Sequence, residues 1–311
     1  MERIMSQKKR AQQPPIPINR CHLYSLQSPH TLAKRLGWDL NKLNKLAMDG
    51  QYRIYKHKST GREIQESGTA LQSLHKQLHR YLARIEVPSY LHSAVKGRSY
   101  LSNARVHISN HPLIKIDIAK FYQSTHQHKV MHFFRDEMNC TSDVAGLLAN
   151  LICYNGILAT GSSISPIISY YTHKHLFNDL SNFALKHGLI MTCYVDDITM
   201  SGPRASRALL HKVRQIIFKA GLRAHKARFF MGDSVKIVTG IAIKQDKITL
   251  PFSRWRKIHR LEQKITTCTN NTEKLQLLSK LISCFYEAAQ IDPRYRPRAE
   301  FYRNQRRKLT Y

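Results

Sequence analysis

Three aspartates are the residues of this sequence best suited to chemistry. Asp196 and Asp197 are adjacent and separate two apolar runs, 189–194 and 198–200, while Asp117 lies near the end of the apolar segment 113–118. An Asp pair between two strands can simply form a polar hairpin turn. Three carboxylates at one sheet edge would instead repel one another and require a cation between them. The third acid therefore favours a functional cluster over a turn.

Divalent cations explain such a cluster best. Mg²⁺ prefers oxygen ligands, retains several waters and is commonly completed by substrate phosphates. Two Mg²⁺ ions held by Asp117, Asp196 and Asp197 would activate a primer hydroxyl and stabilise a leaving pyrophosphate. The three acids therefore predict metal-dependent nucleotidyl transfer, with the same residues as catalytic groups and metal ligands.

The charge balance of the chain indicates a polyanionic partner. The 311 residues include 50 Lys and Arg against 20 Asp and Glu, a net charge of +30, and the pI is about 10.1. Nucleic acid is the natural partner of such a protein, and an anionic membrane surface is the alternative. No apolar run of transmembrane length and no signal-peptide pattern occurs, which predicts a cytoplasmic protein without membrane contact.

Cysteine and histidine patterns give little support to a zinc site or a disulfide framework. The six cysteines are isolated from one another, and none forms a Cys-x-x-Cys pair. His173 and His175 could ligate a metal together only from a strand, whereas a polar helix surface explains them more simply.

The elements that must position the acids follow from apolar spacing, which predicts an α+β protein. Helical spacing recurs over 32–46 with a break near Gly37, and over 70–85, 127–138, 143–153, 165–185 and 205–220. Strand patterns predict hairpins at 52–58 with 62–65, at 189–194 with 198–200, and at 234–243 with 247–250. Beyond Pro251 two basic amphipathic helices are predicted, the second capped by Asn271 or Thr272, followed by a basic end containing Tyr295, Phe301 and Tyr302.

Around the three aspartates the sequence resembles reverse transcriptases. Residues 194–197 (Tyr-Val-Asp-Asp) look like the Tyr-x-Asp-Asp hairpin of that family, and 116–122 look like the strand that carries its first acid. The resemblance assigns substrate binding to Arg62, Tyr122, Gly161, Lys226 and Ile118, and makes Ile118 a further metal-site residue. Tyr122 would exclude a 2′-hydroxyl and so select dNTPs, although an ordinary core aromatic is the alternative. Lys226 would assist the pyrophosphate, with a solvated lysine nearly as plausible.

The turn at 159–166 matches the Gly-rich turn of the family but departs from it at one position. Gly161 would allow close backbone approach, whereas Thr160 replaces the usual Gln before that glycine. Val195 similarly stands at a position where Ala is common in one subgroup of this family. Both acids that follow Val195 are retained.

Two short signatures narrow the resemblance to retron reverse transcriptases. Residues 103–107 fit the Asn-Ala-x-x-His pattern, and residues 238–240 fit the Val-Thr-Gly triplet. RNA binding is assigned to Asn103, His107, Val238, Thr239, Gly240, Arg254, Lys257 and Arg296. Asn103 and His107 could instead be structural hydrogen-bonding residues, and Gly240 marks a place where another backbone comes close.

The resemblance implies a right-hand polymerase with an antiparallel palm sheet and a helical thumb. The expected division is a flexible basic N-terminal arm over 1–29, fingers over 30–110, palm over 111–244, and thumb with a basic tail over 245–311. The aromatic residues of the tail would stack on RNA, while a merely solvated basic end is the alternative.

The function implied is RNA-directed DNA synthesis with dNTPs on one structured non-coding RNA that is both template and primer. Synthesis would start from a 2′-hydroxyl, pass through an RNA–DNA hybrid and give branched RNA-linked DNA (msDNA), in antiphage defence together with an effector protein. A group II intron, diversity-generating or CRISPR-linked reverse transcriptase is the nearest alternative. A non-enzymatic RNA-binding scaffold that restrains an effector is the alternative from another class.

Overall fold

The computed structural model describes residues 14–48, 51–58 and 60–309. Its helices are α1 (Pro29–Leu36), α2 (Leu40–Met48), α3 (Thr69–Leu82), α4 (Tyr100–Arg105), α5 (Gln127–His132), α6 (Ser142–Ile152), α7 (Ser165–Thr172), α8 (Lys174–Lys186), α9 (Arg207–Lys219), α10 (Phe252–Thr267), α11 (Asn271–Ala289) and α12 (Arg296–Lys308). Its strands are β1 (Tyr52–Lys56), β2 (Glu63–Ser67), β3 (Leu113–Ile118), β4 (Cys153–Tyr154), β5 (Ile157–Leu158), β6 (Ile190–Tyr194), β7 (Asp197–Ser201), β8 (Ala224–Phe230), β9 (Lys236–Val238), β10 (Ile241–Lys244) and β11 (Lys247–Thr249).

Helices and antiparallel sheets together confirm the expected α+β class. The chain forms two compact units, one from residues 1–88 and 120–174 and the other from 89–119 and 175–311. These unit boundaries do not coincide with the expected boundaries at 110/111 and 244/245, so the division into fingers, palm and thumb stays a prediction. No helix in the described residues has both the length and the apolar character needed to cross a membrane.

The first unit contains the predicted hairpin and the helices around it. Strands β1 and β2 pair antiparallel from Tyr52 opposite Ser67 to Lys56 opposite Glu63. Helix α1 is capped at its start by Ser28, whose side chain accepts a hydrogen bond from the Thr31 amide, and at its end by Gly37, with φ of 68°. The left-handed conformation at Gly37 ends the helix, as glycine commonly does. The predicted break between α1 and α2 is therefore confirmed.

The predicted N-terminal arm differs from the structure where the structure describes it. Residues 1–13 lie outside the described residues, but Leu23 and Leu26 are at most 1% exposed. The Ile16 amide donates to the Arg84 carbonyl, and the Thr141 amide donates to the Leu26 carbonyl. Residues 16–26 are therefore packed, because their apolar side chains are buried and their backbone groups form hydrogen bonds with distant residues. The polar, Pro-rich composition of the N-terminal region gave no sign of these contacts.

The predicted helix over 165–185 is interrupted. It consists of α7 and α8, with His173 between them in a non-helical conformation, φ −113°. The His173 imidazole is buried, and its Nε2 lies 3.1 Å from Thr125 Oγ1. This contact, formed 48 residues away in the chain, is invisible to helical spacing.

The second unit is built around a four-stranded antiparallel sheet in the order β6-β7-β3-β8. One face is apolar and buried, formed by Ile114, Ile116, Ile118, Met191, Cys193, Ile198 and Met200. Residues paired across the strands share a face, as do alternate residues along each strand. The opposite face, here called the acidic face, therefore carries Lys115, Asp117, Thr192, Asp197, Thr199 and Ser201.

A three-stranded sheet in the order β11-β10-β9 follows in the same unit. The strand predicted over 234–243 is in fact two strands, because the chain turns at Thr239 and Gly240, whose φ angles are 45° and 76°. The β-branched residues on both sides of Gly240 made this stretch look like one strand. Val238, Ile241 and Ile243 from this sheet are fully buried in one cluster with Leu101 and Ala104 of α4 and Leu113 of β3.

The three C-terminal helices pack around Leu278, Leu281 and Phe285 of α11. The cap of α11 is Asn270, whose side chain accepts from the Glu273 amide, rather than the predicted Asn271 or Thr272. The basic end is the helix α12, and its Tyr302 ring stacks 5.6 Å from the Phe285 ring. Tyr295 and Tyr302 are thus partly buried in this bundle, which leaves Phe301, 57% exposed, as the freely accessible aromatic of the three.

Candidate active site

Two of the predicted acids lie side by side on the four-stranded sheet. Asp117 of β3 pairs directly with Asp197 of β7, and both side chains point to the acidic face. The Asp117 side chain is 24% exposed and that of Asp197 is 18% exposed. The alternation of apolar and polar residues in 113–118 places Asp117 on this face, because only that register buries the three isoleucines.

Asp196 completes the cluster from the turn between β6 and β7. Tyr194 pairs with Asp197, so Val195 and Asp196 form a two-residue loop. Val195 has φ of 59°, a conformation that is unfavourable for a β-branched residue. The Asp196 carbonyl accepts a hydrogen bond from the Ile118 amide, which fixes the turn to the end of β3. The three predicted acids are therefore brought together.

Burial and mutual repulsion raise the pKa of two of these acids. Desolvation and the neighbouring Asp117 carboxylate raise the pKa of Asp196 to about 7. Desolvation also raises the pKa of Asp197, although the Lys115 ammonium partly opposes this shift. The cluster thus resists carrying its full negative charge without a cation.

Two lysines provide positive charge to the cluster. Lys115 Nζ lies 2.7 Å from Asp197 Oδ2, and Lys226 Nζ lies 3.4 Å from Asp117 Oδ2. Lys226 reaches Asp117 from β8, where the register shifts between Lys115 and Asp117 and Lys226 has φ of 45°. The irregularity is a β-bulge, a device that reorients side chains beside functional sites. Sequence reasoning identified Lys226 but missed Lys115, although Lys115 and Asp117 have the spacing of one strand face.

The donor set fits divalent metal ions. Its ligating atoms are carboxylate oxygens, and Asp197 Oδ1 is buried without a hydrogen-bond partner among the described residues. Within those residues no group of three or more His, Cys, Asp or Glu side chains is arranged to hold a metal ion as it stands. The ammonium groups of Lys115 and Lys226 neutralise part of the negative charge of the three aspartates. Ile118 can contribute only through its backbone, because its hydrocarbon side chain has no ligating atom and is buried.

The first unit contains three further residues that the sequence analysis assigned to substrate binding. Arg62 is exposed immediately before β2. A Cβ atom on Gly161 would lie 2.6 Å from the Gln65 carbonyl oxygen, which confirms that another backbone closely approaches this glycine. Thr160 hydrogen-bonds through its amide and hydroxyl to the Gln65 side chain. Tyr122 is half-buried, with its ring 6.2 Å from that of Phe121.

The two residues of the Asn-Ala-x-x-His signature are interior residues. Asn103 and His107 have no exposed surface. Their side chains therefore cannot contact RNA in this conformation. The structural hydrogen-bonding alternative is supported for His107, whereas neither polar atom of the buried Asn103 amide has a hydrogen-bond partner among the described residues. His107 Nδ1 lies 2.7 Å from Ser201 Oγ, and its Nε2 lies 2.7 Å from Thr192 Oγ1.

The Val-Thr-Gly signature contacts the helix that carries the other signature. Thr239 Oγ1 donates a hydrogen bond of 2.7 Å to the Tyr100 carbonyl at the start of α4, and Val238 is fully buried. A Cβ atom on Gly240 would lie 3.1 Å from Arg254 Nη2. The predicted close approach at Gly240 thus comes from a side chain and not from a backbone. Its positive φ is the second reason for glycine.

The predicted RNA-binding cations differ in their availability. Arg254 is engaged, with its Nη1 2.8 Å from Glu287 Oε1 and its guanidinium 5.8 Å from the Tyr100 ring centroid. Lys257 is exposed on α10, and Arg296 is exposed on α12 beside Glu300. Lys257 and Arg296 can reach a polyanion directly, whereas Arg254 must first exchange its partner.

Comparison with known proteins agrees with this geometry. Residues 47–250 match the family of reverse transcriptases (RNA-dependent DNA polymerases). The chain is 29% identical to the retron Se72 reverse transcriptase of Salmonella heidelberg, over 55% of this chain and 45% of that protein. It is 25% identical to the retron Ec86 reverse transcriptase of Escherichia coli, over 73% of each chain. With the retron Mx162 reverse transcriptase of Myxococcus xanthus it shares 25% identity over 75% of this chain and 56% of that protein.

Proposed function

Because the chain belongs to the reverse transcriptase family, we propose that it is an RNA-directed DNA polymerase of the retron type. The observation that carries this proposal is the register of β3 and β7, which places Asp117 opposite Asp197 on one sheet face. The turn residue Asp196 lies next to them. Two lysines border these acids, as expected for a site that handles a polyanionic substrate.

Enzymes of this family generally use divalent metal ions, and we propose two Mg²⁺ ions for this chain. Asp117, Asp196 and Asp197 would hold them, with the Ile118 backbone alongside. Bound there, such ions would activate the primer hydroxyl and neutralise charge on the leaving pyrophosphate. Lys226, which lies beside Asp117 and is 54% exposed, is available to contact a phosphate oxygen.

The proposal assigns nucleotide binding to three residues of the first unit. Arg62 would bind the triphosphate from its exposed position immediately before β2, and the Gly161 turn would border the template and nucleotide. The Tyr122 ring would exclude a 2′-hydroxyl and so favour dNTPs. In this assignment residues 30–110 are fingers, 111–244 are palm and the helices beyond are thumb.

The RNA partner we propose is a structured non-coding RNA that is both template and primer. Synthesis from its 2′-hydroxyl would give an RNA–DNA hybrid and then msDNA, and the complex would act with an effector protein in antiphage defence. Support comes from the relatives, whose names identify them as retron reverse transcriptases, and from the signatures at 103–107 and 238–240. The net charge of +30 supports a polyanionic partner.

Purified protein with its copurifying RNA tests the proposal by incorporation of labelled dNTPs. Asp196→Asn and Asp197→Asn should each reduce DNA synthesis by at least about 100-fold, because each removes a carboxylate that would hold the metal ions. RNA affinity should stay within about twofold in both variants. Asp246→Asn, in the β10–β11 turn, is the matched control and should retain synthesis.

Retained synthesis by both variants would overturn the assignment of the acids. Sequencing of the copurified nucleic acid tests the retron type separately. A branched molecule with DNA joined to RNA through a 2′–5′ bond would support it, and unbranched DNA alone would exclude self-priming.

A further inference from the structure

Residues 90–93, which lie before α4 in the chain, contact the hairpin that carries two of the acids. This hairpin, here called the acidic hairpin, comprises β6, the Val195–Asp196 turn and β7, residues 190–201. The Cys193 amide donates to the Tyr90 carbonyl at 2.7 Å, and the His92 amide donates to the Cys193 carbonyl at 2.8 Å. A parallel bridge joins Leu91 to Cys193. Residues 90–92 therefore fix the backbone of β6 from its outer edge.

Ser93, the next residue, contacts the turn itself. Its hydroxyl accepts a hydrogen bond of 2.9 Å from the Val195 amide, and Ser93 is 2% exposed. Val195 is the β-branched residue with φ of 59° that immediately precedes Asp196. An unfavourable backbone conformation persists only where its surroundings determine it. The Ser93 hydroxyl helps to hold this conformation, because it accepts the hydrogen bond of the Val195 amide.

His107 connects the two strands of the acidic hairpin at its other end. One ring nitrogen contacts the Thr192 hydroxyl of β6 and the other contacts the Ser201 hydroxyl of β7, each at 2.7 Å. A neutral imidazole offers one donor and one acceptor, so both nitrogens can be satisfied at once. Burial also favours the neutral ring. His107 lies two residues beyond the end of α4, so its ring joins the end of this helix to both strands of the acidic hairpin.

We propose that Ser93 and His107 are positioning residues for the acids, an assignment that rests on the proposed polymerase function. Ser201 and Asp197 lie on the same face of β7, and Asp197 lies opposite Asp117. A rotation or slip of β7 would therefore move Asp197 away from Asp117. The histidine of the Asn-Ala-x-x-His signature then acts on the geometry of the reaction and not as an RNA contact.

Two pairs of substitutions, one pair at Ser93 and one at His107, test these roles. Ser93→Ala removes the acceptor for the Val195 amide, whereas Ser93→Thr retains a hydroxyl. His107→Leu removes both contacts, whereas His107→Gln retains an amide that can bond one hydroxyl. We expect kcat to fall about 10- to 100-fold in Ser93→Ala and His107→Leu, since displacement of reacting groups by about 1 Å can cost that much. KM for dNTP and RNA affinity should change less than twofold, and the conservative variants should recover part of kcat.

Amide hydrogen exchange provides a readout that does not depend on activity. Exchange over residues 190–201 should accelerate in Ser93→Ala and His107→Leu relative to the wild type. Ser279→Ala is the matched control, because its hydroxyl donates to the Leu275 carbonyl within α11, and it should leave both kcat and this exchange unchanged.

The outcomes distinguish this assignment from the proposed function. If the wild type incorporates dNTPs but kcat and exchange over 190–201 are unchanged in both variants, the positioning role is wrong. If RNA affinity falls while kcat at saturating RNA is retained, the signature is an RNA contact instead. If the wild type itself makes no DNA while exchange accelerates as expected, the polymerase assignment fails and the coupling of these residues to the hairpin stands.

Discussion

At the scale of single residues, the buried imidazole of His107 has a consequence for stability. Burial, with a smaller contribution from His92, lowers the pKa of His107 to about 3. An imidazole in the unfolded chain has a pKa near 6.5. Between these two values the unfolded state binds a proton that the folded state does not, so acidification destabilises the fold. Above pH 6.5 both states are neutral and this contribution is constant.

We therefore expect the stability difference between the wild type and His107→Gln to shrink as the pH falls. From pH 7 to pH 5 the wild type should lose about 2 kcal/mol relative to the variant, because only the wild type contains this titrating group. Urea unfolding of both proteins at several pH values measures the difference. Other groups, including the acids of raised pKa, cancel in the comparison. A gap that stays constant over this range would show that His107 titrates normally.

At the scale of elements, the turn at Gly161 depends on the absence of a side chain. The Gly161 amide donates to the Gln65 carbonyl at 3.1 Å, which brings the turn onto strand β2. A Cβ atom there would meet this carbonyl at 2.6 Å and the Ile64 Cγ2 atom at 2.9 Å. Since the closest of these atoms is backbone, the turn and the strand must separate to admit it.

Gly161→Ala should accordingly destabilise the protein by about 1–3 kcal/mol, the usual cost of overpacking. If the proposed nucleotide-binding role of the turn is correct, KM for dNTP should also rise. Gly146→Ala is the matched control, because Gly146 lies in α6 with nothing within 4 Å of the added Cβ. There the substitution should stabilise by about 0.5–1 kcal/mol through helix propensity. Thermal unfolding measures both changes, and equal effects at the two positions would contradict the close contact.

The elements also show what the sequence can and cannot predict. The alternation in 113–118 predicted β3 with its observed bounds, and the Asp pair between apolar runs predicted the acidic hairpin. Periodicity failed where long-range contacts decide the backbone, as at His173 between α7 and α8 and at the Thr239–Gly240 turn. It also could not find the partners of His107, which lie 85 and 94 residues away in the chain. Lys115 was missed because its spacing from Asp117 indicates a shared strand face but does not reveal its ion pair with Asp197 on the neighbouring strand.

At the scale of the whole molecule, the excess of positive charge determines how RNA binding should respond to salt. Proteins that neutralise many phosphates release counterions, so affinity falls linearly with salt on logarithmic axes. We expect a steep slope for the partner RNA, and Lys257→Gln should reduce its magnitude by about one, as for loss of one phosphate contact. Filter binding at several salt concentrations measures the slope.

Arg254→Gln is the informative comparison for the same measurement. Since the Arg254 guanidinium is already paired with Glu287, its loss should change the slope less than the loss of the exposed Lys257. The same substitution should lower the thermal stability, because it leaves the Glu287 carboxylate unpaired. An RNA affinity that does not change with salt in the wild type would rule out the basic surface as the RNA-binding site.

The two faces of the four-stranded sheet allow packing residues and active-site residues to be substituted separately. Ile116 and Ile198 are buried on one face of the sheet. Asp117, which follows Ile116, and Asp197, which precedes Ile198, project from the other face. Substitutions among the isoleucines and methionines therefore alter packing without replacing a group of the acidic face. Lineages can accumulate differences in thermal tolerance on one side of these strands while the chemistry on the other side is conserved. Directed evolution can use the same separation, searching the apolar face for robustness and the acidic face for rate.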